Sequence, residues 1–155
     1  MAIEIERKFT VKKIPNEKIK YSHYIKQGYV VSDENKVIRI RQKKDDFFIT
    51  IKGNKTRISR LEFEYKIPKN DAKQLFKNFC KEGIIEKTRH YIEHDGHVWE
   101  LDVFHNQNEG LIIAEIELKS EEENFSLPEW IDYEVTYEKK YYNMNLIKNP
   151  FKKWT

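Results

Sequence analysis

Acidic and basic side chains recur along this sequence in pairs of like sign set two residues apart, and each pair is suited to an ion of the opposite sign. The acids are Glu4 and Glu6, Glu62 and Glu64, Glu100 and Asp102, and Glu115 and Glu117; the paired bases are Arg39 with Arg41 and Lys87 with Arg89, while Lys8, Lys52, Lys66 and Lys119 stand singly. Carboxylates without a Cys or His cluster suit hard, oxygen-seeking cations such as Mg²⁺ or Mn²⁺ rather than zinc. Arg and Lys in a fixed array suit a polyanion, the guanidinium offering a planar fork for phosphate oxygens. Metal and basic groups around a row of phosphates form the electrostatic apparatus of phosphoryl transfer, where positioning and charge neutralisation do most of the catalysis. The histidines add no ligand set: His94 and His97 flank a turn, and His23, His90 and His105 lack metal-ligand spacing. No glycine-rich phosphate loop is present.

The elements that carry these pairs read as strands. In Ile3-Glu4-Ile5-Glu6-Arg7-Lys8-Phe9 charge and apolar residues alternate, which puts Glu4, Glu6 and Lys8 on one face and Ile3, Ile5 and Phe9 on the other. Same-face neighbours on a strand lie roughly 7 Å apart, so such pairs repel unless a counter-charge sits between them. The same alternation returns at 37–41, 47–52 and 61–66, then at 85–91, 98–103 and 111–119. A strand at 21–31 is expected to break at Gly28, and a last one runs from Pro128 to Thr136. Asp95-Gly96 is a hairpin turn. The period changes over 71–82, where Asp71 as N-cap, a stripe of Leu75, Phe76, Phe79 and Cys80, and Gly83 as stop predict a helix. Residues 140–148 predict a terminal helix, and Glu121, Glu122 and Glu123 a solvated turn.

Like charge grouped within each strand costs stability on an open sheet. A closed antiparallel barrel resolves this by turning one face of every strand inward. The expected fold is therefore mainly β, a closed eight-stranded antiparallel barrel whose charged interior forms a tunnel, with a few flanking helices. Ile5, Ile40, Ile51 and Ile116 then lie on the outer face, under helices or under the second copy of a homodimer.

Composition agrees with one domain over 1–155. The chain is 39% hydrophobic and 35% charged, yet its nine Tyr, nine Phe and three Trp supply a core. A net charge of +3 lacks the imbalance of a generic nucleic-acid or membrane-surface binder. One cysteine, Cys80, fits a reducing compartment. With neither an N-terminal apolar segment nor a long apolar run, a cytoplasmic location is expected.

The ordered motifs resemble the CYTH superfamily, the triphosphate tunnel metalloenzymes, in a short bacterial, tripolyphosphatase-like form. Glu4-x-Glu6-x-Lys8 looks like that family's opening signature, and Arg39-x-Arg41, Lys52, Glu62-x-Glu64, Lys87-x-Arg89, Glu100-x-Asp102 and Glu115-x-Glu117 follow in its order. Glu134-Val135-Thr136, Lys140-Tyr141-Tyr142-Asn143 and Leu146 resemble its closing segment, although Glu138 and Lys140 stand where Asp and Arg are usual. The resemblance implies that Lys8, Arg39, Arg41, Lys52, Lys87 and Arg89 bind a triphosphate-containing small molecule. It implies a divalent metal on Glu4, Glu6 and Glu117, with Glu62, Glu64, Asp102 and Glu115 around a second metal or the attacking water. Lys66, Lys119 and Lys140 fit a rim as well as a site. The implied activity is metal-dependent hydrolysis of a linear triphosphate: inorganic tripolyphosphate first, nucleoside or thiamine triphosphate next. A class IV adenylate cyclase and a non-catalytic polyphosphate-binding module are the alternatives.

Overall fold

In a computed structural model describing residues 2–154, nine strands run β1 (Ile3–Val11), β2 (Tyr21–Ser32), β3 (Lys36–Lys43), β4 (Asp46–Gly53), β5 (Ser59–Ile67), β6 (Ile84–His94), β7 (His97–Phe104), β8 (Ile112–Glu117) and β9 (Ile131–Glu134). Two helices, α1 (Lys69–Phe79) and α2 (Asn143–Lys148), accompany them. The sheet order is β5-β4-β3-β2-β6-β7-β8-β1, and pairing of β1 with β5 closes these eight strands into an antiparallel barrel. The first half of β1 meets β5, Ile3 opposite Leu61; from Glu6 onward it meets β8, and β9 pairs outside the ring from Phe9 to Val11. Met1 and Thr155, which the one-domain expectation includes, lie outside the described residues.

Closure sorts each strand's alternation into an inner charged face and an outer apolar one. On the outside, Phe9, Trp99, Leu101 and Ile116 are buried under Trp130 and Ile131. Ile40 and Phe47 are buried beneath Ala72 and Cys80 at α1. Inside, one barrel end is filled by Tyr29, Ile85, Phe104 and Ile113, closed over by Tyr141 and Leu146 of the C-terminal segment. The outer face of β4 and β5 stays open, with Ile51, Leu61, Phe63 and Tyr65 exposed. Among the described residues, no helix is long and apolar enough to cross a membrane.

The β6–β7 hairpin turns at Asp95 (φ 47°) and Gly96 (φ 78°), the left-handed pair that a two-residue hairpin demands. Several local expectations need correction. β2 does not break at Gly28; the bulge lies between Tyr29 and Val31. Gly28 serves close approach instead, since a Cβ there would sit 2.9 Å from Cys80 Cβ and from Ile84 Cδ1. α1 starts after Pro68, with Asp71 in its first turn rather than at the cap, and it ends at Phe79 because Cys80 leaves helical geometry to pack on Gly28. Phe79 is exposed. Glu121 and Glu123 are not simply solvated: Glu121 accepts a hydrogen bond from Ser59 Oγ, and Glu123 bonds His97 Nε2 and the Lys119 N–H. The terminal helix is a single turn over Lys139–Tyr141 followed by α2.

Candidate active site

The inner faces line a cavity of about 210 Å³. Glu4, Glu6 and Lys8 from β1 face it together with Arg39 and Arg41 from β3 and Lys52 from β4. Glu62 and Glu64 from β5, Lys87 and Arg89 from β6, and Glu115 and Glu117 from β8 complete the charged wall. Strand alternation alone does this, because the two members of each pair fall on one parity of their strand.

Asp102 differs. It is fully buried and sits behind the cavity wall rather than lining it. Its carboxylate accepts Arg89 Nε at 2.7 Å and Nη2 at 2.9 Å, and Lys87 Nζ lies 2.7 Å away. Burial opposes its charge, but Arg89 and Lys87 outweigh burial and hold its pKa below the usual range. Lys66, paired with Asp46 at 2.9 Å, and Lys140, stacked on Trp154, lie away from the cavity wall.

The wall's acids divide into neutralised and unneutralised groups. Lys52 Nζ reaches both oxygens of Glu4 at 3.0 Å and Glu62 at 3.2 Å, and Arg60 adds a contact to Glu4 at 3.4 Å. Burial works against the Glu4 charge, yet Lys52 and Arg60 bring its pKa down to about 2. Arg39 pairs with Glu64 at 3.5 Å, with Thr50 bridging. Glu6 and Glu117 have no basic partner within ion-pair distance among the described residues, although they stand directly opposite each other on β1 and β8. Burial, then the charges of Glu115 and Glu4, push the Glu6 carboxyl well above its ordinary range. Burial and the charges of Glu4 and Glu100 raise Glu117. Glu115 opposes Lys8 in the same ladder and is held well below its ordinary range, burial being overcome by Lys8 and by a hydrogen bond from Glu6. The two neighbouring carboxylates thus shift in opposite directions, Glu6 up and Glu115 down. Among the described residues, no three His, Cys, Asp or Glu side chains already converge as a cation cage.

The bases divide likewise. Arg89 is locked to Asp102 and to Glu100, at 3.1 Å. Lys8 and Arg41 have no acid within ion-pair distance among the described residues: Lys8 Nζ touches the Tyr141 carbonyl at 3.5 Å, and Arg41 donates to the neutral Gln27. Burial, with Arg39 and Arg89 nearby, lowers Arg41 to about 10. Burial lowers Lys87 to about 7, Arg89 and Arg41 adding to it and Asp102 opposing. Tyr29, Lys55 and Arg60, which sequence reasoning did not single out, also line the cavity, as do Glu100 of the acidic pairs and Tyr142 and Asn143 of the closing motif. The mixed sequence of β2 does not mark Gln27 or Tyr29, and the C-terminal residues carry no alternation either.

A closed barrel with cations and carboxylates on opposed stretches of its inner wall defines a class of small anion-binding tunnel proteins, and comparison agrees. The CYTH domain matches residues 2–145, and the chain belongs to this family. It is 43% identical over 152 residues to an inorganic triphosphatase of Acetivibrio thermocellus, covering 98% of this chain and 97% of that one. It is 34% identical over 148 residues to an inorganic triphosphatase of Nitrosomonas europaea, covering 92% and 95%. A solved inorganic triphosphatase structure superposes with a TM-score of 0.68 at 32% identity, covering 95% of each chain.

Proposed function

We propose that this protein is a metal-dependent hydrolase that removes the terminal phosphate of inorganic tripolyphosphate inside its barrel. The observation that carries this reading is the coexistence, on one cavity wall, of cations without acids (Lys8, Arg41) and carboxylates without bases (Glu6, Glu117) among the described residues. Such a wall is frustrated when empty and relieved by a polyanion together with a cation.

Opposed carboxylates fit a hard divalent ion, Mg²⁺ or Mn²⁺, which when bound neutralises phosphate oxygens and polarises water. Glu6 and Glu117 would hold it, with Glu4 joining once triphosphate draws Lys52 away. Lys8, Arg39, Arg41, Lys52, Lys87 and Arg89 bind and align the phosphates. Glu62, Glu64 and Glu115 face the cavity, where they orient the attacking water or hold a second ion. Asp102 instead fixes Arg89 and Lys87 from behind. In the reaction the water oxygen bonds to the terminal phosphorus, the bridging P–O bond breaks, and its electron pair leaves on pyrophosphate. The water proton passes to a wall carboxylate that orients the water, Glu62 or Glu64. We place the enzyme in the cytoplasm, where its one, buried, unpaired cysteine is stable.

The test is product analysis with Mg²⁺ or Mn²⁺ present. Tripolyphosphate should yield phosphate and pyrophosphate, and ATP should yield linear products. Cyclic AMP as the main product from ATP would overturn the assignment.

A further inference from the structure

Every cation that lines the cavity from β4 or β6 is met by a carboxylate: Lys52 by Glu4 at 3.0 Å, Lys87 by Asp102 at 2.7 Å, and Arg89 by the same Asp102 at 2.7 Å. Arg41 is met by an amide. Its Nε and Nη2 both donate to Gln27 Oε1, at 3.0 and 2.8 Å, and Gln27 is fully buried. Because a guanidinium only donates, the contact fixes which way the amide points. Gln27 Nε2 must then face away from Arg41, where it donates to Tyr29 Oη at 2.8 Å and to Asn143 Oδ1 at 3.3 Å. Asn143 Oδ1 also accepts Lys87 Nζ at 2.9 Å. Every polar atom of the Gln27 side chain is thus used, and the chain of bonds runs from β3 through β2 and the first residue of α2 to β6.

A glutamate at 27 would accept the same two N–H groups in nearly the same geometry, and a bidentate carboxylate holds Arg more strongly than an amide does. It would also offset most of the Arg41 charge and leave less of it for an anion. We infer that Gln27, braced by Asn143, is a positioning residue that aims Arg41 into the cavity while sparing its charge for the phosphate chain. This rests on the triphosphate reading above and adds to it: affinity depends on the neutrality of a side chain that never touches the substrate. The two amides also make the C-terminal segment part of the site, since Asn143 reaches both Gln27 and Lys87.

Two variants test the inference, with thermal melts of the ligand-free protein, calorimetric binding of tripolyphosphate and steady-state kinetics. Gln27→Glu should melt at or above the native temperature, bind tripolyphosphate at least tenfold more weakly, and raise KM more than it lowers kcat. Gln27→Leu, which frees Arg41 to turn, should lower both the melting temperature and kcat/KM. Gln27→Glu binding within twofold of native overturns the inference, and so does Gln27→Glu melting well below native, because the amide would then be kept for packing. Native protein that fails to bind tripolyphosphate would instead bring down the underlying substrate reading; native binding with an unaltered Gln27→Glu brings down the charge-sparing role alone.

Discussion

Asp102 and Glu6 are both inward acids, and their partners give their removal opposite consequences for stability. Asp102 lies between Arg89 and Lys87, fully buried, with contacts of 2.7 to 2.9 Å. Replacing it by Asn keeps the shape but leaves two buried cations without their shared counter-ion. Breaking a buried pair from one side costs about 3–5 kcal/mol. An amide oxygen still accepts a hydrogen bond, so about 3 kcal/mol is the better figure. At about 2–4 °C per kcal/mol for a chain of this size, Asp102→Asn should lower Tm by roughly 6–12 °C. Glu6 has no basic partner within ion-pair distance among the described residues, and burial, Glu115 and Glu4 all disfavour its charge. Glu6→Gln should therefore leave Tm of the metal-free protein unchanged or higher, while activity falls about a hundredfold with the loss of one preorganised electrostatic group. Melts by calorimetry after EDTA dialysis, paired with phosphate release on metal addition, read both effects. Equal losses of Tm in the two variants, or full activity in Glu6→Gln, would refute the division of the wall into structural and ligand-binding acids.

The pH dependence follows from the same shift. Glu6 titrates in the folded state above its ordinary 4.5, so folding takes up a proton between those values and this contribution to stability is lost as pH rises through that window. The stability advantage of metal-free Glu6→Gln over native should be absent at about pH 4 and grow toward neutrality; an advantage that shrinks with rising pH contradicts it. Arg39→Ala should weaken tripolyphosphate binding by about tenfold to a hundredfold, the scale of a hydrogen bond to a charged group, while calorimetric titration with Mn²⁺ alone stays near native; loss of Mn²⁺ binding would put the arginine in the wrong role. Gly28→Ala must displace Cys80 or Ile84, each 2.9 Å from the added carbon, and should cost about 1–3 kcal/mol in a denaturant melt; a neutral effect would mean that α1 is not seated on β2 as described.

The barrel and most of its wall were legible because alternation is a local signal. Glu4 and Glu6, Arg39 and Arg41, and Glu115 and Glu117 each announce an inward face through two residues of one sign with an apolar residue between them. Closure then follows from the cost of leaving such faces flat. One difference alternation cannot register: Glu100 and Asp102 share a parity, but only Glu100 lines the cavity, while Asp102 is covered by Lys87 and Arg89. Gln27 was overlooked because β2 mixes Tyr, Lys, Gln and Gly without a clean period. Asn143 stood in the closing motif without a role, since its role arises from the C-terminal segment folding back over one barrel end. The ends of α1 were set by Pro68 and by the contact of Cys80 with Gly28, a tertiary constraint that overrode the apparent capping residues.

The most direct test of the central claim is phosphate release from inorganic tripolyphosphate by the native protein, measured with Mg²⁺ or Mn²⁺ and again in excess EDTA. The wall described here requires both ligands at once, so release should be sustained with metal and stop on chelation. Release undiminished in EDTA would contradict the account.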